Sequence, residues 1–482
     1  MMLNSSLKQL VQLLADKKIS SVELTQAFLN RIRQHNQFLN AFITVDPERS
    51  LKQAHSADKR IAAGQAQPLT GIPIAYNDNF YAKGWLTTCG SKMLSDFVAP
   101  DNAAVVERFN EADAVFLGKT NMDEFGMGSS SETSYYATVK NPWDEYAVPG
   151  GSSGGAACAV AARLAPAAIG TDTGGSIRLT AAFTGVSGIK PSFGVGSCRG
   201  IIAFDTSLGQ AGALAKSVED LALLLNAMTG FDKCDPVSLE RAAEDYTRSL
   251  TEPLSGLRIG LPKEYFGKGL NHDVARQIEG AIAEFRKLGA KTLEVSLPHS
   301  RLALPVYYIL ASAEAAANLS KFGISDRPEA SLHARAQRFH AEVKRRVLLG
   351  TYLLSEDRNE AYYRQAQRLR RLIAQEFTEA FRTCNVLVGP AAPTAAFEIG
   401  EKSDDPVAMY RSDVYTVAAN LAGLPALSIP VGFGEHDRPV GLQIIGNHFT
   451  EAKLLNAAHQ YQLVTDWHRQ MSEYVPLLAE SA

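Results

Sequence analysis

The chain has 482 residues, of which 46% are hydrophobic and 21% charged, and its formal net charge is −3. This composition is ordinary for a folded globular protein and excludes a disordered chain. The small negative charge also excludes an overall basic field of the kind that holds nucleic acid or an anionic membrane without a partner.

The cysteines and the N-terminus indicate a protein of the reducing cytoplasm. The five cysteines are an odd number, and no two of them have the spacing of a metal site. The first residues lack the basic and apolar regions of a signal peptide. The least polar stretch, 156–170, is interrupted by Arg163 and Pro166. We therefore predict a buried helix there and no membrane span.

In the first quarter, helices and strands alternate. Residues 20–23 have capping-box spacing, and Leu24, Phe28 and Ile32 follow on one helical face. A buried strand is predicted at 71–76. A helix at 103–109 and a strand at 114–118 are predicted next. This order indicates an α/β fold with a largely parallel sheet.

Residues 150–212 are rich in glycine and poor in charge. They hold 14 of the 37 glycines and only six charged residues. A flexible linker would be polar throughout, whereas apolar runs separate these glycines. We interpret the segment as buried backbone that makes close approaches, as functional sites do.

Beyond residue 255 the alternation resumes. Strands are predicted at 257–261 and 291–295 around a helix at 272–288. Further strands are predicted at 385–388 and 426–431, followed by a closing helix at 451–462. Residues 327–382 are charged and have an amphipathic helical pattern. We find no repeat or clear linker and predict one domain over residues 1–482, with a helical insertion at about 300–382.

The Gly-Gly-Ser-Ser-Gly-Gly motif at residues 150–155 has three interpretations. It is not a phosphate-binding loop, since no Gly-Lys-Ser/Thr follows. The apolar helix predicted directly after it argues against a linker. The remaining interpretation is a loop whose serines face a site.

The second motif, at residues 170–178, places a serine after a threonine and two glycines. Consecutive free N–H groups at such a turn bind anions and can form an oxyanion hole, with the serine as nucleophile. The alternative is a turn that caps a helix. No Gly-x-Ser-x-Gly elbow is present, and the ten histidines lie outside this segment. A base other than histidine is therefore expected, and lysine is the known variant.

Together the two motifs resemble the amidase-signature family. Within that family the chain is most similar to the A subunits of aminoacyl-tRNA amidotransferases. The resemblance covers nearly the whole chain and is carried by residues 71–75, 88–94, 119–125, 141–143, 150–156, 170–178, 188–191 and 419–425. It implies a twisted mixed β-sheet flanked by helices.

The resemblance also implies a Ser-Ser-Lys site. It assigns the nucleophile to Ser176 and the bridging serine, next to a cis peptide, to Ser152. The oxyanion hole falls on the backbone of Thr173, Gly174 and Gly175. Arg346 and Asp413 match the residues that hold the α-carboxylate and α-amine of glutamine.

The family's lysine is missing, because Asn77 occupies its position. An amide has no basic nitrogen, and loss of a general base typically costs about 10²–10⁴-fold in rate. Lys83 is nearby, but the family usually has a lysine there too, so we do not expect it to substitute.

Other positions also depart from the family. They are Leu179-Thr180, Val195, Gly209, where the family usually has an aspartate, and a helical segment near 322–331 that looks shortened. We interpret the substitutions as altered or relaxed function at one site.

Three hypotheses follow. In the first, the chain is an amidotransferase A subunit that works with B and C subunits and supplies ammonia from glutamine for Glu-tRNA(Gln), with Asp-tRNA(Asn) as a second candidate acceptor. The partner subunit would hold the tRNA, ATP and Mg²⁺, and this chain would need no metal or cofactor. In the second, it is a stand-alone amidase acting on another small amide. In the third, it is an inactive paralogue that keeps the fold and the partner surface.

Overall fold

The computed structural model describes residues 2–320 and 339–472. Eleven strands from the whole length of the described chain form one sheet. They are β1 (Phe42–Thr44), β2 (Pro73–Asn77), β3 (Val115–Thr120), β4 (Ala167–Asp172), β5 (Ser187–Lys190), β6 (Gln210–Ala215), β7 (Arg258–Pro262), β8 (Lys291–Val295), β9 (Val386–Pro390), β10 (Ala426–Phe433) and β11 (Pro439–Gly446).

The strand order is β1-β3-β2-β4-β6-β5-β10-β11-β9-β7-β8. Six of the ten neighbouring pairs are antiparallel. The four parallel pairs join β2 to β3 and β4, and β7 to β8 and β9. The α/β class and the mixed sheet are thus confirmed, whereas the largely parallel sheet predicted from helix–strand alternation is wrong. The parallel pairs are confined to two parts of the sheet, around β2 and around β7. The helix–strand alternation did not reveal the antiparallel strands that lie between them.

Helices cover the sheet. Among the described residues, the α-helices of five or more residues are Leu7–Ala15, Ser21–Leu39, Pro47–Ala62, Ala104–Glu111, Gly154–Ala161, Arg178–Thr184, Val218–Met228, His272–Lys287, Ala303–Leu319, Ala341–Leu354, Gln365–Ala380, Pro406–Tyr410, Val417–Leu421 and Glu451–Val464. A π-helix, Asn359–Arg364, precedes Gln365–Ala380. The predicted capping box is present, with Ser20 as N-cap and Glu23 closing the box. Leu24, Phe28 and Ile32 are buried on one face of that helix.

One region differs from the sequence prediction, whereas helices are present in the charged region where they were predicted. The stretch 156–170 is not one helix: the helix ends at Ala161, and β4 begins at Ala167. Arg163 adopts a positive φ of 59° where the chain turns between them. In the charged region, helices form at Ala341–Leu354 and Gln365–Ala380. The predicted shortening near 322–331 lies outside the described residues.

One helical stretch in the described chain, Ser300–Leu319, is long and apolar enough to cross a membrane, and 61% of its apolar window is buried. Tyr307, Leu310 and Ala311 on this helix belong to a second hydrophobic core, beside the larger core under β2, β4 and β6. Apolar composition is expected of a helix packed in this way. The sequence prediction singled out a different stretch, 156–170, because it is the least polar part of the chain.

Candidate active site

Ser152 and Ser176 face each other across the junction of two loops. Ser152 precedes the helix Gly154–Ala161, and Ser176 lies in the turn between β4 and the helix Arg178–Thr184. The Ser152 hydroxyl donates to Ser176 Oγ, with 3.1 Å between the oxygens. Both serines are buried, and the Gly151–Ser152 peptide is cis. The structure therefore brings together the two serines named by the resemblance.

A buried ion pair fixes the turn that carries Ser176. Arg178 donates from Nε and Nη2 to the two carboxylate oxygens of Asp172, at 3.0 and 2.9 Å. The same carboxylate accepts the Ile177 N–H at 3.2 Å. Burial alone would raise the pKa of Asp172, but the Arg178 guanidinium holds it below its ordinary value. Asp172 is thus ionised and closes the turn on both sides of Ser176.

The residues preceding Ser176 present a row of backbone N–H groups. Within residues 2–320 and 339–472, the N–H groups of Thr173, Gly174 and Gly175 donate to no protein acceptor. Gly175 has a φ of +141°, and a side chain there would overlap Thr416. Thr416 in turn donates to the Gly174 carbonyl at 2.6 Å, which orients the peptide. Free, fixed N–H groups beside a serine hydroxyl are suited to binding an oxyanion.

Asn77 is the last residue of β2 and is fully buried. Its Nδ2 donates to Ser153 Oγ at 2.8 Å, and its Oδ1 accepts the Thr120 hydroxyl at 3.0 Å. Ser153 Oγ passes its own hydrogen to the Thr171 carbonyl at 2.9 Å. The amide therefore lies in a satisfied hydrogen-bond chain that runs to Ser153 and not to Ser152.

Three lysines near this region do not take the missing lysine's position. Lys83 is exposed. Lys119 pairs in register with Tyr76, so it projects from the sheet face opposite to Asn77. Its ammonium donates to the Phe80 carbonyl at 2.6 Å and lies 3.4 Å from Asp78.

Lys190 is buried on β5, and burial lowers its pKa to about 7. Its hydrogen bond goes to the Pro191 carbonyl at 2.7 Å. Ser152 accordingly receives no hydrogen bond from any of the three lysines.

Arg346 and Asp413 form a second polar set behind the turn. Arg346 Nε donates to Glu342 at 2.8 Å, and the guanidinium carbon lies 4.8 Å from the Tyr308 ring centre. Its Nη1 is buried and has no partner in good hydrogen-bond geometry among the described residues, although the guanidinium also interacts with the Tyr307 hydroxyl. Burial raises the pKa of Asp413 to about 7, although the Ser129 hydroxyl, which donates to it at 2.6 Å, and Arg346 oppose the shift. An unused donor near a protonatable carboxyl suits a ligand carrying both a carboxylate and an amine.

A cavity of about 310 Å³ lies beside the serines. It is lined by Ser152 and Thr173 and by an apolar wall that includes Phe125, Ile202 and Phe204. Arg346 and Asp413 are not among its lining residues. Arg346 nevertheless lies next to the cavity wall, because its guanidinium carbon is 5.9 Å from the ring centre of Phe204.

The other departures from the family do not cluster as expected. Gly209 lines the cavity, but Leu179 and Val195 do not. Leu179 packs into a third apolar core, and Thr180 Oγ1 donates to the Ser176 carbonyl at 2.7 Å. Gly209 and Thr180 therefore contact the cavity or the serine turn, and Asn77 lies next to the first motif, whereas Leu179 and Val195 lie apart from the site.

Sequence reasoning missed Ser153, Thr120 and Asp205 as site residues. Ser153 was visible in the first motif, but nothing in the sequence indicated which of two adjacent serines would contact Asn77. Thr120 becomes a partner because β2 and β3 are parallel neighbours with Asn77 opposite Thr120. No group of three or more histidine, cysteine or acidic side chains in the described residues has the arrangement of a metal site.

The profile of the Amidase family matches residues 23–455. The chain is 63% identical to the A subunit of glutamyl-tRNA(Gln) amidotransferase from Nitrosomonas europaea, over 97% of this chain and 98% of the relative. It is 62% identical to the protein of the same name from Nitrosospira multiformis, over 98% and 99%. The crystal structure of the Thermotoga maritima protein of that name superimposes with a TM-score of 0.80 at 35% identity, covering 95% of this chain and 94% of that one.

The chain therefore belongs to the amidase family. Its fold and its paired serines are those expected of a carbon–nitrogen hydrolase of that family. Among its relatives, those with the nearly full-length matches given above carry the name of one amidotransferase subunit.

Proposed function

We propose that the chain is the A subunit of an aminoacyl-tRNA amidotransferase, the subunit that releases ammonia from the amide of glutamine. The identity of 63% over 97% of the chain to a relative of that name carries the proposal. We further propose that residues 1–482 act as one domain in the cytoplasm. B and C subunits would complete the enzyme, and the partner would hold the tRNA, ATP and Mg²⁺. Glu-tRNA(Gln) is the proposed acceptor, with Asp-tRNA(Asn) as a further one.

In this proposal Ser176 is the nucleophile. Its Oγ attacks the amide carbon of glutamine, and the carbonyl oxygen becomes an oxyanion facing the N–H groups of Thr173, Gly174 and Gly175. The Ser176 proton passes to Ser152, which lies 3.1 Å away and must release its own proton onward. The unused Nη1 of Arg346 would donate to the substrate carboxylate, and Asp413 would accept from its α-amine.

The proton relay has no basic acceptor beyond Ser152. Asn77 Oδ1 already accepts the Thr120 hydroxyl, and its Nδ2 is a donor. We therefore propose that glutamine hydrolysis is strongly impaired in this chain.

The lack of a basic proton acceptor beyond Ser152 also favours a second candidate, an inactive paralogue that retains the fold and the surface for the partner subunits. A stand-alone amidase is the third candidate, supported only by Gly209 in the cavity wall.

Two measurements on the full chain test these proposals. Co-purification with the B and C subunits encoded in the same genome is expected, and failure to co-purify would contradict the assembly. Ammonia release from glutamine by that complex is expected to be very slow, and an ordinary rate would contradict the impairment. Ser176→Ala supplies the background rate, and a panel of other small amides addresses the stand-alone amidase.

A further inference from the structure

Asp205 is a buried carboxylate in the wall of the cavity beside Ser152, and one of its oxygens is unused. It is 2% exposed. Its Oδ1 accepts the N–H groups of Leu208 and Gly209, at 3.0 and 2.7 Å. Its Oδ2 is buried and has no partner in good hydrogen-bond geometry among the described residues. Its polar neighbour is the Thr173 hydroxyl, whose hydrogen bonding to the carboxylate lowers the pKa of Asp205 against the larger, raising effect of burial. A buried oxygen with no donor is costly, so this position favours a ligand that supplies one.

The space in front of that oxygen exists because residue 209 is glycine. A Cβ built on Gly209 would lie 3.2 Å from Asp205 Oδ2 and 3.0 Å from Thr173 Oγ1. Oδ2 and the Thr173 hydroxyl therefore border one small volume inside the cavity. By the resemblance described above, the family usually has an aspartate at the position of Gly209. In this chain the carboxylate at this place belongs to Asp205, which lies in the same turn.

The other charged groups of the wall are already paired. Asp235 accepts from Ser197 Oγ and the Cys198 N–H through Oδ2, and from the Val237 N–H through Oδ1. Arg199 is bound to Glu107 and Asp232, at 2.6 and 2.8 Å. Asp205 is thus the charged wall residue with an available atom.

The surroundings of Asp205 carry further negative charge. Glu314 binds the same turn through the N–H groups of Thr206 and Ser207, at 2.8 and 3.1 Å. Arg370 offsets part of this charge, but it donates to the carbonyls of Ser207 and Leu421 and to the Ser207 hydroxyl. A cation in the cavity is therefore favoured over an anion.

The chemistry of the wall selects the kind of cation. One free carboxylate oxygen is too few for a divalent metal, which takes six or more oxygen ligands. The rest of the wall contains Phe125, Ile201, Ile202, Phe204 and Val237, which suit a hydrocarbon group. A volume of about 310 Å³ is within the range of small-molecule sites.

We propose that this cavity binds a protonated amine, whose N–H is accepted by Asp205 Oδ2 and whose hydrocarbon part contacts the apolar wall. Ser152 and Thr173, which have proposed catalytic roles, also line the cavity, but amine binding rests on Asp205 and the apolar wall and requires neither of those roles. The ammonium ion and an organic amine share this chemistry, and the experiment separates them.

The test uses the full chain and three probes: hexylamine, hexanol and ammonium chloride. Burial raises the pKa of Asp205 to about 6, so affinities are measured at pH 8, by isothermal titration calorimetry. Alkylation of Cys234 gives a second readout, since it is the exposed cysteine of the five and lines the cavity. Hexylamine is expected to bind and to slow alkylation, with hexanol at least tenfold weaker. If ammonium binds to the wild-type protein and is lost in Asp205→Asn, the site is supported and ammonium itself is its ligand.

Two variants locate the binding. Asp205→Asn keeps the Oδ1 acceptor but removes the charge, and about a tenfold or greater loss of hexylamine affinity is expected. Gly209→Ala adds a methyl group in front of Oδ2 and should also weaken binding.

Asp235→Asn is the matched control, because the Asp235 carboxylate is already paired. The affinity of this variant for hexylamine should stay within about threefold of that of the wild-type protein. Circular dichroism and thermal unfolding confirm that each variant is folded. Equal affinity for hexanol and hexylamine, unchanged affinity in Asp205→Asn, or no binding of either amine probe by the folded wild-type protein would overturn the proposal.

Discussion

Asn77 and Ser153 are joined by a hydrogen bond of 2.8 Å, from the amide nitrogen to the hydroxyl oxygen. The bond directs the residue at the family's lysine position toward the second serine of the motif, whereas the first serine contacts Ser176. Ser152 thus contacts Ser176, whereas the adjacent Ser153 contacts Asn77. In the proposed mechanism, the described hydrogen bond of the Ser152 hydroxyl therefore leads to Ser176 and not to residue 77.

Restoring a lysine at position 77 should restore turnover. In Asn77→Lys, with partner subunits present, ammonia release from glutamine is expected to rise by about 10²–10⁴-fold, because a general base again follows Ser152. Asn77→Gln, which changes length without adding a base, is the matched control and should stay near the wild-type rate. A folded Asn77→Lys protein with no gain would show that the defect lies elsewhere.

Breaking the Asp172–Arg178 pair should destabilise the protein strongly. Arg178→Met leaves a buried carboxylate without its guanidinium, and the free energy of unfolding is expected to fall by about 3–5 kcal/mol. Urea denaturation measures the change. Arg382→Met is the control, because its pair with Glu379 is exposed and should contribute less than about 1 kcal/mol. Similar losses in both variants would contradict the role given to the buried pair.

Gly175 should not tolerate a side chain. Gly175→Ala combines a positive φ with overlap onto Thr416, and a loss of about 2–4 kcal/mol in unfolding free energy is expected. Gly256 also has a positive φ, +83°, but a Cβ there meets nothing within 4 Å. Gly256→Ala therefore measures the backbone cost alone, about 1 kcal/mol, and thermal or urea unfolding should rank the two variants in this order.

Asp413 should make stability depend on pH between about 4 and 7. Burial raises its pKa from 3.8 to about 7, so the folded protein holds a proton there that the unfolded chain has released. This contribution therefore stabilises the protein at low pH and is lost as pH rises through 7. Unfolding free energies measured from pH 5 to pH 8 should fall less steeply for Asp413→Asn than for wild type.

Lys190 provides the opposite case and serves as a check on the sign. Burial lowers its pKa from 10.5 to about 7, so between these values the unfolded chain holds the extra proton. Stability arising from this group should increase from pH 7 to pH 10, and Lys190→Met should flatten that slope. For each variant, the slope of unfolding free energy against pH is subtracted from the wild-type slope. Differences of the same sign for Asp413→Asn and Lys190→Met would contradict the assignment.

Much of the outer architecture could be predicted from local patterns. The strand at 291–295 and the helix beginning at His272 have the predicted bounds or differ from them by one residue. Helical periodicity and capping are local properties, so the sequence is sufficient for them. The antiparallel strands β5, β6 and β11 were missed. In β6 the reason is composition, because its glycine and alanine residues lack the β-branched pattern by which strands are recognised.

The site was predictable in part. Ser152 and Ser176 stand in conspicuous motifs, and the structure brings their hydroxyls together. Asp205 was not predictable as a cavity residue, because its role depends on the empty space at Gly209, four residues away, and on which carboxylates are already paired. Pairing and unfilled volume are properties of the packed molecule and have no signal in a single sequence.

The strand order has a consequence for synthesis of the chain. β5 and β9 are separated in the sheet by β10 and β11, which are made last, from residues 426–446. Until the ribosome has released these residues, β5 and β9 each present an unpaired edge, and unpaired edges are sites of aggregation. The nascent chain thus cannot close its sheet during translation. A chain truncated before residue 426 would have two separate parts of a sheet, each with an aggregation-prone edge, in place of a smaller stable protein.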